Sequence, residues 1–88
     1  MPARRRKPQR LLTVFVIRYA SIEDREKFQQ GELPDFTSSI VHTGFSEAIA
    51  LRQFGRACIE QTTDPLAYCV TLVRGSETLA QVKPVPPL

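Results

Sequence analysis

Arg10–Ala20, R-L-L-T-V-F-V-I-R-Y-A, contains no glycine or proline and is rich in β-branched and aromatic residues. That composition predicts a strand. Side chains alternate along an extended chain, so Leu11, Thr13, Phe15, Ile17 and Tyr19 share one face. Leu12, Val14, Val16 and Arg18 share the other. Both faces are largely apolar, which puts the strand in the middle of a sheet, covered on both sides or paired across an interface. In a chain of 88 residues this demand is severe. The length allows one domain, and a chain this size buries only about 60–65% of its unfolded surface. A dimer or a bound partner would add to the stability of so small a core.

The cover for one face is predicted at Thr43–Gln61, T-G-F-S-E-A-I-A-L-R-Q-F-G-R-A-C-I-E-Q. Ser46 is placed to cap a helix by accepting from a free first-turn amide. Glu47 follows where the helix dipole favours negative charge, and Phe45 with Ala50 makes a weak staple. At about 100° per residue, Ala50, Leu51, Phe54, Ala57 and Cys58 form one apolar arc, with Ala48, Gly55 and Ile59 beside it. Gly55 costs roughly 1 kcal/mol against alanine in mid-helix, so it is read as a close approach to the sheet. The opposite arc holds Arg52, Gln53, Arg56 and Glu60, with Ile49 among them. It is either a solvated face with one stray isoleucine or a partner-binding stripe of Ile49, Arg52 and Arg56, arginine being enriched at interface hot spots.

Other segments complete an α+β plan, β-(α)-β-α-β-β. It is a three- to four-stranded, mainly antiparallel sheet with one main helix on one face. Ser21–Gly31 carries a helix start in Ser21 with Asp24 and a stop in Gly31, and only Ile22 and Phe28 could anchor it. Phe36–Thr43 reads as an edge strand rich in serine and threonine. Leu66–Arg74 is a second strong strand, with Leu66, Tyr68, Val70 and Leu72 on one face. Its other face, Ala67, Cys69, Thr71 and Val73, is smaller and suits a closely packed helix. Gly75-Ser76 makes a hairpin turn into Thr78–Lys83. The domain is thus 11–83, with a basic arm at 1–10 and a proline-rich tail at 84–88.

Charge is uneven. Arg4, Arg5, Arg6, Lys7 and Arg10 give the arm +5, whereas the whole chain is +3; residues 11–88 therefore sum to −2. The arm can add sequence-independent affinity for phosphates, or serve only as a solubility tail. The slightly acidic body argues against a nucleic-acid-binding face on the domain itself. Aromatic and basic residues do not interleave along the chain as a stacking platform would require. Cys58 and Cys69 are not in metal spacing and are expected as free thiols, with a disulfide as the alternative. The single histidine, His42, reads as a strand residue. No phosphate-binding glycine motif is present, and no pair of acids is spaced for acid–base work, so no enzyme, cofactor or metal is expected. Leu11–Ala20 is interrupted by Thr13 and Arg18 and is followed by no cleavage signal, so a leader is not expected. A cytoplasmic protein is.

The junction F-T-S-S-I-V-H-T-G-F-S-E-A (Phe36–Ala48) and the strand V-T-L-V-R (Val70–Arg74) resemble a family of small phage inhibitors of bacterial RNA polymerase. The likeness lies in Phe36 and Ile40 of the strand, the Glu47-Ala48 pair opening the helix, and the strand pattern ending in Arg74. It implies a host-takeover protein that docks on the polymerase and blocks initiation. In that family arginines of the last strand and an acid of the preceding strand make the contact. Arg74 matches one arginine; Leu72 stands where the other would be, and Thr37 where the acid would be. The strand–helix–strand plan is also similar to that of small anti-CRISPR proteins.

Three readings follow. One is a non-enzymatic inhibitor that binds a host protein–nucleic acid machine through Ile49, Arg52, Arg56 and Arg74. Another is a nucleic-acid-binding protein acting through Arg4, Arg5, Arg6, Lys7 and Arg10. The third is a structural homodimer joined through the doubly apolar first strand.

Overall fold

The structure, a computed structural model, describes residues 10–83. The first strand, β1, runs Leu12–Tyr19, and the short helix α1 follows at Ile22–Gln29. Next come β2 at Phe36–Gly44, the long helix α2 at Glu47–Gln61, β3 at Ala67–Arg74 and β4 at Glu77–Val82. The strands form one sheet in the order β2-β1-β3-β4, antiparallel throughout. The expected α+β plan is present, with β1 central and the serine-rich β2 at an edge. The basic residues Arg4, Arg5, Arg6 and Lys7 and the proline-rich tail lie outside the described residues. Arg10 is described and exposed.

Local signals set the element ends. The Ser21 hydroxyl accepts the Asp24 N–H at 3.2 Å and donates to Asp24 Oδ2 at 2.6 Å. Asp24 Oδ1 accepts the Asp35 N–H at 3.0 Å, so one carboxylate ties the start of α1 to the approach to β2. Ser46 caps α2 by accepting from the Ile49 N–H at 3.3 Å. Gly31 and Gly75 adopt φ of +83° and +59°, a region that only glycine enters without strain. Gly75 thereby permits the tight β3–β4 turn.

Between α2 and the sheet lies the core: Leu12, Val14 and Val16 from β1, Val70 and Leu72 from β3, and Ala50 and Ala57 from α2. Phe54, Cys58 and Ala80 pack on it partly buried. Burying each valine or leucine contributes about 1.5–3 kcal/mol. Three expectations are corrected here. The helix lies on the larger face of β3, not on the face of Cys69 and Thr71. The close approach is made by Ala50 and Ala57, because small residues on the helix complement branched ones on the sheet. Leu51 and Ile59 are outside the core, 57% and 73% exposed.

Gly55 is not that point of close approach. A Cβ built on it meets nothing within 4 Å, and its φ is not positive. No contact of the fold requires a glycine there. Gly55→Ala is therefore expected to stabilise the protein by about 0.5–1 kcal/mol, read as a higher urea midpoint. A loss of stability would show a constraint at Gly55 that packing does not reveal.

Candidate binding surfaces

On α2, Ile49 is 46% exposed and both Arg52 and Arg56 face solvent. Ile59 belongs with them on the outward face, at three residues from Arg56 and seven from Arg52. Arg56 Nε donates to Glu60 Oε1 at 3.2 Å, one turn on. Such an exposed pair is worth only about 0.3–0.5 kcal/mol and leaves the guanidinium easily recruited. Arg52 has no carboxylate partner among the described residues.

Arg74 does not join this stripe. It pairs with Glu47, which lies about 160–200° around the helix from Ile49 and Arg56 at 100° per residue. Leu72, two residues before it, is 2% exposed beneath α2 and can touch no partner. The four residues expected to act together are therefore split between the outer face of α2 and its flank toward β4. On that flank Leu12, Ala50, Leu51, Leu72 and Leu79, together with Glu47, line a mostly apolar groove of about 170 Å³.

The second surface is the sheet face turned away from α2. Thr13, Phe15 and Ile17 of β1 stand between Thr43, Ile40 and Ser38 on β2 and Val73, Thr71 and Cys69 on β3. None of these is charged. Ile40 is 69% exposed, and Phe15 and Ile17 are half-buried. α1 covers one end of this face, and on the β3 side Cys69 and Thr71 are buried, with Gln81 of β4 in contact with both.

That covered end holds what the linear sequence hid. Tyr19, Phe28, Phe36 and Tyr68 come from β1, α1, β2 and β3. The Phe36 and Tyr68 ring centroids are 4.6 Å apart, and Phe28 lies 5.9 Å from Tyr19 and 5.7 Å from Tyr68. A bulge opposite Ile17 and Arg18 breaks the alternation of β3 at Tyr68, which is how Tyr68 meets rings on the face away from Val70. Lys83 Nζ stands 5.0 Å from the Tyr68 centroid. Arg25 Nη1 donates to the Pro65 carbonyl at 3.0 Å. Aromatic and basic residues that do not interleave in sequence are thus interleaved in space. The signal available beforehand was only that four isolated aromatics fell at strand ends or in α1.

Asp64 sits beside this cluster. Its carboxylate accepts from Arg18 Nε at 2.6 Å and Nη2 at 3.2 Å, and from the Leu66 N–H at 2.9 Å. The Arg18 hydrogen bonds, helped by the Leu66 amide, hold its carboxyl below the usual range. Asp24 is held low by the Asp35 N–H and then by Ser21. Burial, followed by the neighbouring Tyr68, pushes the Tyr19 hydroxyl up.

Both cysteines are free. Cys69 is buried on the face away from α2, and the half-buried Cys58 has its thiol pushed up by burial, which disfavours the reactive thiolate. His42 is a strand residue, as expected, and its Nε2 is buried without a partner. Among the described residues no group of three or more His, Cys, Asp or Glu could hold a metal ion. No helix among them is long and apolar enough to cross a membrane. No family model, curated protein or solved structure matches the chain.

Proposed function

We propose that this protein is a non-enzymatic binding module that docks on a host protein–nucleic acid machine and inhibits it. Bacterial RNA polymerase is the first partner to test, because the resemblance of Phe36–Ala48 and Val70–Arg74 points there. The observation that supports the reading most is the outer face of α2, where Ile49, Arg52, Arg56 and Ile59 are all presented to solvent. An apolar residue flanked by arginines suits a partner surface with an apolar pocket and nearby carboxylates. Arg74 contributes only if its pair with Glu47 opens. Arg4, Arg5, Arg6, Lys7 and Arg10 would add attraction to phosphates.

Purified polymerase should co-elute with the protein and lose promoter-dependent transcription. The double variant Ile49→Ala, Arg52→Ala should bind at least about tenfold more weakly, since one hot-spot residue is worth more than 1 kcal/mol. Unchanged binding by that variant would remove α2 as the contact surface, and no binding by the native protein would remove the partner.

The uncharged sheet face favours a second reading, a homodimer. A second copy meets no like charge there, although each chain is +3. Eight residues at about 3.4 Å across four strands at about 4.8 Å give at most roughly 500 Å² in projection, the end under α1 included. This is less than the ~800 Å² per partner of a standard interface, so association should depend on concentration. Sedimentation should show the weight-average mass rising with loading, and Ile40→Asp should abolish the rise. A monomer at all loadings removes this reading.

A further inference from the structure

Beside the four rings the surface sinks into a recess of about 310 Å³ lined by Tyr19, Arg25, Phe28, Asp64, Tyr68 and Lys83, among others. The lining is mixed in a particular way. Phe28 supplies ring surface and is 44% exposed, while Tyr68 is packed against three other rings with Lys83 Nζ 5.0 Å from its centroid. Arg25 and Lys83 supply positive charge, and neither has a carboxylate partner among the described residues. One guanidinium N–H of Arg25 is held by the Pro65 carbonyl, leaving other donors of its fork for a ligand. The lone carboxylate, Asp64, is matched in advance by Arg18 and the Leu66 amide. The recess is therefore locally cationic on a body whose residues 11–88 carry −2.

We propose that this recess binds a nucleotide, the base stacked on the exposed Phe28 ring, to which Tyr68 stands nearly perpendicular at 82°, and the phosphate between Arg25 and Lys83. A bare inorganic anion has no use for the rings, and an uncharged apolar ligand has no use for two cations without carboxylate partners among the described residues. Every base presents a π-face, so stacking here tolerates any sequence. The volume is at the small end of ligand pockets, about 300–1,000 Å³, which fits one nucleotide and not two. A free mononucleotide and one residue of a single strand share this chemistry.

The chain has two tyrosines and no tryptophan, and both tyrosines line the recess. Their ring resonances in NMR therefore report on this site alone. The full-length protein is titrated with adenosine 5′-monophosphate, adenosine, inorganic phosphate and a ten-nucleotide single strand. The monophosphate should shift both rings saturably and bind about tenfold or more tightly than adenosine or phosphate. Lys83 is exposed, so Lys83→Gln should leave the fold intact and weaken binding about tenfold. Arg25→Gln should act likewise. Replacing Arg4, Arg5, Arg6 and Lys7 together by glutamine should leave mononucleotide binding unchanged. Ring shifts by the strand that are lost in Lys83→Gln assign the site to nucleic acid; shifts by the mononucleotide alone assign it to a free nucleotide. The proposal is overturned if neither moves the rings, if Lys83→Gln binds normally, or if phosphate binds as tightly as the monophosphate. None of these outcomes bears on docking through α2.

Discussion

Leu72→Ala is expected to lower the melting temperature by about 10–20 °C. Leu72 is 2% exposed and belongs to the core cluster that includes Ala50 and Ala57 of α2. Truncating a buried leucine costs about 2–5 kcal/mol, more where the cavity stays open. Here the cavity would adjoin the groove lined by Leu51 and Leu79. These side chains are 57% and 40% exposed and have room to settle inward, so the loss belongs near 2–3 kcal/mol. In a domain of this size each kcal/mol moves the midpoint by about 4–8 °C. Leu51→Ala is the control, since truncating a side chain that is mostly in water should cost far less. Thermal unfolding followed by circular dichroism checks both. If the two variants melt together, the helix is not seated on Val70 and Leu72 as described.

The second large effect is on acid stability. Asp64 and Asp24 both have folded-state pKa values below the ordinary carboxyl value. Folding therefore favours their ionised forms. The stability they contribute is fully present above about pH 3.9, the unfolded value, and is lost as pH falls through the lower folded values. Asp64→Ala tests this directly. It removes three hydrogen bonds to a carboxylate, two of them from the Arg18 guanidinium. Hydrogen bonds to charged groups are worth about 1.5–3 kcal/mol. Arg18 is 41% exposed and so partly screened, which brings the expected loss at pH 7 to about 1–2 kcal/mol. The gap between the native protein and the variant should narrow steadily below about pH 4. Urea unfolding at pH 7, 4 and 2.5 measures it. A gap that stays constant with pH would show that the Asp64 charge is not what the fold uses.

Much of the architecture was written locally. The run Leu12–Tyr19 declared a central strand because both faces were apolar. Ser21, Ser46, Gly31 and Gly75 marked element ends through hydrogen bonds and dihedral preferences that reach no further than a few residues. What was not legible depended on contacts distant in sequence. Sizes along β3 showed that one face was smaller, but a close fit needs only one partner to be small. Ala50 and Ala57 took that role, so the helix settled on Val70 and Leu72. Gly55 looked like the closest point because its cost in a helix is local, whereas its lack of any neighbour is a tertiary fact.

The candidate surfaces divide in the same way. Exposure of Ile49, Arg52 and Arg56 followed from helical periodicity alone. The separation of Arg74 from them did not, because it depends on which flank of α2 lies toward β4. The ring cluster was invisible in the chain, since positions 19, 28, 36 and 68 share no period. Sequence determined the elements and their ends, for these rest on short-range hydrogen bonding and on alternation of apolar residues. Tertiary structure decided which faces meet and which rings and charges gather, because a β-bulge and a helix crossing set side-chain directions that no local pattern encodes.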